Sequence, residues 1–147
     1  MAAGISIREE CMDAFREHFG RHVLQQADEE QRVPKLLYDA EISLDQLTLE
    51  FLGEYELLQP FGSGNPQPVF VARGVHNSRE PIVMKNNHLR LPLCQSHHER
   101  DAVFFGGGEK PLPEPPWDVA FTVDRNTFRG RTSLQIIVQD LKSAESA

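Results

Sequence analysis

A chain of 147 residues with 39% hydrophobic content can bury one ordinary core, or one and a half small ones. No apolar run approaches the roughly 18 residues that span a bilayer, and the start "MAAGISIREEC" lacks the basic and apolar stretches of a signal peptide, so a cytoplasmic location is expected. The net charge of −7 argues against a nucleic-acid partner only as an average: residues 1–68 hold 5 basic and 13 acidic side chains and residues 69–147 hold 10 and 9, or −8 against +1, which predicts two units with different partners.

Ser6 and Glu9 have capping-box spacing and predict a helix start. Ile7, Cys11, Phe15 and Phe19 recur every fourth residue as one apolar stripe, and Gly20 suits a left-handed stop. In "LLYDAEI", Leu36, Tyr38, Ala40 and Ile42 alternate with Leu37, Asp39 and Glu41, the period of a half-buried strand. Ser43 and Gln46 repeat the capping spacing and predict a second helix that buries Leu44, Leu47, Phe51 and Leu58. Gly53 weakens that helix by about 1 kcal/mol relative to alanine.

"PFGSGNP", residues 60–66, follows. Gly62 and Gly64 fall where a positive φ is commonly needed, and Pro66 and Pro68 forbid further helix. A phosphate-binding loop needs a strand before the glycines and a helix after them, the reverse of this order, so the stretch reads as a structural connector.

From Pro68 the texture changes to short strands: "VFVARGV", "HLRLPL", "DAVFFG", "DVAFTVD" and "TSLQIIVQDL". Val69, Val71 and Arg73 alternate against Phe70, Ala72 and Gly74, and Leu134, Ile136 and Val138 against Gln135, Ile137 and Gln139. Five such strands predict a small barrel, so the fold class is α+β: a small N-terminal helix and strand segment, then a five-stranded β-barrel. "RNTFRGR" reads as a long hairpin tip, and the proline-rich "GGGEKPLPEPPW" as a stiff loop. The expected divisions are 1–59, a connector at 60–68, the barrel at 69–142 and a disordered tail at 143–147.

Barrels of this kind bind single-stranded nucleic acid when cations track phosphates and aromatic rings stack on bases. Lys85, His88 and Arg90 at the second barrel strand, with Arg125, Phe128, Arg129 and Arg131 in the last hairpin, form the candidate DNA-facing set. The alternative for each is a solvated surface side chain. Cys11 and Cys94 lack CxxC spacing and are expected to be free thiols; Cys94, His97 and His98, with His88 upstream, lack the geometry of a zinc site. "GGG" at 106–108 leads into prolines and gives no phosphate-binding helix N-terminus.

The blocks "LLQPFGSGNPQPVF", "HLRL", "DAVFFG" and "DVAFTVDRNTFRGRTSLQIIVQD", in this order, resemble the C-terminal OB-fold region of the RecJ family of bacterial single-stranded-DNA-specific exonucleases. "AAGISI", the helix behind it and "LLYDAEISLDQL" are similar to the tail of the DHH-associated domain of that family, so the resemblance runs from Ala2 to about Lys142. It implies that Phe61, Gly62, Gly64, Asn65 and Pro66 join domains, that His88 and Leu89 open a barrel strand, and that Asn126 and Gly130 belong to the last hairpin. Where Phe128 stands, the family often has tryptophan. The resemblance also implies a 5′-to-3′ exonuclease of DNA repair and recombination whose manganese or magnesium is held by an Asp-His-His motif in an N-terminal catalytic domain. No such motif occurs here, so the chain is expected to hold no cofactor, to carry no catalytic residue and to act as the DNA-binding part of such an enzyme. A different class of function is a module that docks a replication or repair partner, such as a single-stranded-DNA-binding protein, through the acidic half and the proline-rich loop. Without a covering sheet, Ile7, Phe15 and Phe19 imply self-association, and the first 35 or so residues are expected to be the least stable.

Overall fold

The computed structural model describes residues 4–28 and 35–144, and the chain divides into two compact units, Met1–Leu36 and Leu37–Ala147. Ala2 and Ala3 of the expected "AAG" similarity, and residues 145–147 of the expected tail, lie outside the described residues.

In the first unit a 3-10 turn, Glu9–Cys11, leads into helix α1, Met12–Gln26. The start differs from the one expected at Ser6, for the turn follows Arg8 and no side chain caps it. Gly20 lies inside α1 rather than at its end. A mid-helix glycine weakens a helix without breaking it, and Arg21 pairs with Glu17 one turn back at 2.6 Å across the same stretch. The helix ends at Ala27, where the backbone turns extended. Phe15 and Phe19 stack at 5.4 Å, and no residue of α1 is buried.

The second unit begins with β1, Ala40–Glu41, running parallel to β2, Phe70–Asn77. The seven-residue strand expected at 36–42 shrinks to this pair, tied on by Asp39 and Ile42 amides donating to the Val69 and Val71 carbonyls. Ser43 and Gln46 do close on each other, the Ser43 amide and hydroxyl both meeting Gln46 Oε1 at 3.0 and 2.9 Å, but they close a turn. Helix α2 starts later, at Leu49–Glu56, because Thr48 Oγ1 caps the Phe51 amide at 3.1 Å. Leu44 and Leu47 are buried ahead of it, Leu52 and Tyr55 within it, while Leu58 is exposed. Gly53 interrupts nothing.

Residues 60–66 form a tight turn: Gly62 and Asn65 exchange backbone hydrogen bonds, and the Asn65 side chain donates to the Leu58 and Pro60 carbonyls, both at 2.9 Å. Of the two glycines, Gly64 adopts the positive φ, +86°. Phe61 packs on Tyr55 at 5.3 Å, which seats the connector on the core.

The remaining strands are β3, Ile82–Val83; β4, Leu89–Gln95; β5, His98–Phe104; β6, Trp117–Phe128; and β7, Arg131–Ser143. All seven strands form one sheet. Five of them close it, because β2 pairs with both β6 and β4, β6 with β7, β7 in parallel with β5, and β5 with β4. This is the connectivity of an OB-fold barrel; β1 and β3 are short additions beside it. Phe70, Val71 and Ala72 are all buried, against the expected alternation. Strand β1 pairs along the edge of β2 there, and the register shifts between Ala72 and Val75, with Gly74 at φ +63°. Leu44, Leu47, Leu52 and Tyr55 join one core with Leu91, Leu93, Val119, Phe121, Val123, Ile136 and Val138. Residues 37–59 therefore belong to the barrel unit and not to the N-terminal segment with which they were grouped. Strand β7 continues to Ser143, and the Ala144 amide donates to Pro116, so the expected tail is ordered at these two positions. Among the described residues no helix is long and apolar enough to cross a membrane.

Candidate nucleic-acid interface

Period-two geometry sorts the barrel strands into an inner and an outer face. On β4, Leu89, Leu91 and Leu93 point into the core and Arg90 points out. Register then carries the outer face around the barrel: Ile82 pairs with Arg90, Arg90 with Val103, Val103 with Ile137, and Ile137 with Thr122. Beside this row Arg90, Asp101, Val103, Asn126 and Gln135 line a polar groove of about 330 Å³.

Strands β6 and β7 pair over their whole length and turn through Arg129 and Gly130, at φ +50° and +75°, the two positive dihedrals that a two-residue hairpin turn of matching twist requires. Asn126 and Phe128 share the outer phase of Thr122, and Arg131, the partner of Phe128, shares that of Ile137. Phe128 is 64% exposed, and the Arg129 guanidinium lies 5.1 Å from its ring centroid. Among the described residues neither Arg129 nor Arg131 makes an ion pair with a carboxylate.

Arg125 differs. It shares the inner phase of buried Val123 and Phe121, leaves the barrel mouth beneath α2, and donates to both Glu56 carboxylate oxygens at 2.7 and 2.6 Å. The guanidinium holds the Glu56 carboxyl below its ordinary value. Arg90 is also partnered, donating to Asp101 at 2.6 Å, with Arg79 at 3.8 Å from the same carboxylate. Arg73 is bound by Glu41 and Asp118, both at 2.7 Å, and covers the Tyr38 ring; these contacts clamp β1 to β2 and raise the Arg73 pKa.

Lys85 opens a short turn, Lys85–Asn87, is exposed and makes no ion pair among the described residues. His88 is half-buried, its Nδ1 accepting the Gly106 amide at 3.0 Å. Of the seven candidate residues, Lys85, His88 and Arg90 thus gather at the β3–β4 side of the outer face, Phe128, Arg129 and Arg131 at the hairpin tip, and Arg125 is drawn away to α2. Phe105, 56% exposed and edge-on to His88 at 5.0 Å, escaped the sequence reading. In "VFFGGG" the strand ends at Phe104, which packs against the core, and Phe105 stands in the turn that leads into the glycines.

Cys11 and Cys94 are free thiols. Ser96 and His97 form the β4–β5 turn, both with positive φ, and among the described residues no three or more His, Cys, Asp or Glu side chains cluster as metal ligands.

The family model described as the RecJ OB domain matches residues 38–140, nearly the whole second unit. The single-stranded-DNA-specific exonuclease RecJ of Haemophilus influenzae is 30% identical over 143 residues, which cover 94% of this chain and 25% of that protein. The Bacillus subtilis enzyme of the same name is 24% identical, covering 99% of this chain and 19% of its own length. The chain thus spans a quarter or less of these relatives. A crystal structure of RecJ from Thermus thermophilus in complex with Mn2+ superposes with a TM-score of 0.68 at 22% identity, over 97% of this chain and 21% of that one; the corresponding Mg2+ complex gives 0.66. With no ligand cluster among them, the described residues of this chain do not fit such an ion.

Proposed function

The chain belongs to the RecJ family, whose OB domain it carries over residues 38–140, and from that premise we propose that it grips single-stranded DNA without sequence preference, for a nuclease centre located elsewhere in a longer protein. The observation that carries this reading is the β6–β7 tip, where an exposed Phe128 ring meets the Arg129 guanidinium and pairs across the strands with Arg131, two arginines that have no carboxylate partner among the described residues. An aromatic ring offers its face to any base, at roughly 1–3 kcal/mol per stacked base, and free cations neutralise phosphates. Lys85 and His88 extend the same outer face; Arg90 lies between the two groups, shared with Asp101. Arg125, occupied by Glu56, is left out of the grip. The role fits relatives that are single-stranded-DNA-specific exonucleases.

The test is a fluorescence-anisotropy titration of labelled oligo-dT across a salt series. Binding should weaken as salt rises, with a log–log slope of about −0.7 per neutralised phosphate. Replacing Arg129 and Arg131 together by alanine should flatten that slope by about 1.4. Absence of binding at low salt, or an affinity indifferent to salt, would refute the assignment.

A further inference from the structure

The tip does not exhaust the outer face. At its other end β5 runs out at Phe104, which turns inward beside Leu89 and Val138; Phe105 follows in the turn, its ring against His88, which has the outward phase of Arg90. Three glycines follow, and two of them are required by contact. A Cβ on Gly107 would lie 2.3 Å from the Phe104 ring, and one on Gly108 would lie 2.9 Å from the Asn87 carbonyl oxygen. The Gly107–Glu109 turn therefore lies flush on the end of the sheet, against the Lys85–Asn87 turn, and raises no side chain of its first two residues beside the Phe105 ring. His88 braces that ring edge-on at 5.0 Å, and the Gly106 amide in turn fixes His88 through Nδ1. An apolar ring more than half exposed, yet held in one orientation, has little freedom to lose when a flat partner settles on it. Lys85, which makes no ion pair among the described residues, stands on the turn beside it, and Glu109 and Lys110 offset one another in charge along the neighbouring cleft. Local charge thus favours an anion.

We propose that Phe105, positioned by His88, is a second base-stacking platform, at the opposite end of the outer face from Phe128, so that one bound strand spans both. This rests on the single-stranded DNA reading above. Arg131, paired with Phe128, and Val138, paired with Phe104, are seven residues apart on β7. At roughly 3.3 Å per residue the platforms are therefore separated by about 23 Å along the strand. That reach suits the roughly 4–16 nucleotides held by an OB fold. The ribbon between them, Val103 and Ile137 flanked by Arg90 and Gln135, is half-apolar and passes unpaired bases without reading them.

The experiment uses the full chain, wild type and with Phe105→Ala or Phe105→Trp, and unlabelled or labelled dT12. Phe105→Ala should weaken dT12 binding roughly 5- to 150-fold, the loss of one stacked base, with an unchanged melting temperature because the ring is exposed. Phe105→Trp should retain affinity and report stacking directly by quenching of its emission on dT12 addition, above the background of buried Trp117. If wild type binds dT12 but the Phe105→Trp emission is unmoved at saturation, or Phe105→Ala binds within twofold of wild type, the second platform is refuted while the tip assignment stands. If wild type itself fails to bind, both fall.

Discussion

Arg125 and Phe128 are three residues apart on one strand, and alternation sends them to opposite faces. Phe128 leans outward with Arg131; Arg125 follows Val123 and Phe121 toward the barrel mouth and meets Glu56. Arg125→Ala should therefore leave the salt slope of oligo-dT binding unchanged, whereas Arg131→Ala should flatten it by about 0.7. Its effect belongs to stability instead. Because Arg125 lowers the Glu56 pKa, the pair's contribution is present above the ordinary carboxylate pKa and is lost as pH falls through the lowered value. Thermal melts should show wild type above Arg125→Ala near neutrality and the two converging as the pH drops below the ordinary carboxylate range. A gap that persists unchanged into acid would deny the pair this role.

At the scale of elements, α1 and α2 are both amphipathic in sequence but differ in what they cover. Helix α2 inserts Leu52 and Tyr55 into the barrel core, where Tyr55 and Phe51 meet Phe70 at 6.0 and 5.7 Å. Helix α1 buries no residue and leaves Phe15, Phe19, Val23 and Leu24 exposed. A helix of about 15 residues without a packed face is marginal in water. Native-state hydrogen exchange should accordingly find the amides of α2 protected to the level of the barrel strands and those of α1 exchanging much faster; equal protection of both helices would contradict this. The capping motifs show why the helix starts differ from those that spacing alone predicts. Ser43 and Gln46 made the side-chain contacts expected of a capping box, yet Leu44 and Leu47 were better buried from a turn than from a helix, and Thr48 took over the cap. Spacing specifies which side chains can reach each other; burial decides which backbone conformation they then stabilise.

At the scale of the whole molecule, the five barrel strands were legible because short apolar runs, several with a period of two, are set apart by turn residues such as Gly106 and Gly130. The grouping of residues 37–59 was not, since what binds them to the barrel is contact between segments far apart in the chain: Leu47 with Arg100, Leu44 with Gln95, Glu41 with Arg73. Among the described residues no cluster of metal-ligating side chains occurs. Phosphodiester hydrolysis at neutral pH calls for an activated water, commonly metal-held. Incubated alone with single-stranded DNA and manganese, the chain is expected to bind without degrading; degradation that disappears when a residue of this chain is replaced would overturn that expectation.

The amino-acid order alone determined the barrel strands, the hairpin tip, the connector and the family resemblance, because strand period, turn dihedrals and motif order are properties of neighbouring residues. Only the tertiary structure decided which positive charges remain available and which ring stands clear. Arg125 is neutralised by a carboxylate 69 residues away and Arg90 by one 11 residues away, while Phe105 is braced by a histidine 17 positions earlier. Electrostatic pairing and exposure act through space, and the chain's path through space is set by the packing of the core as a whole.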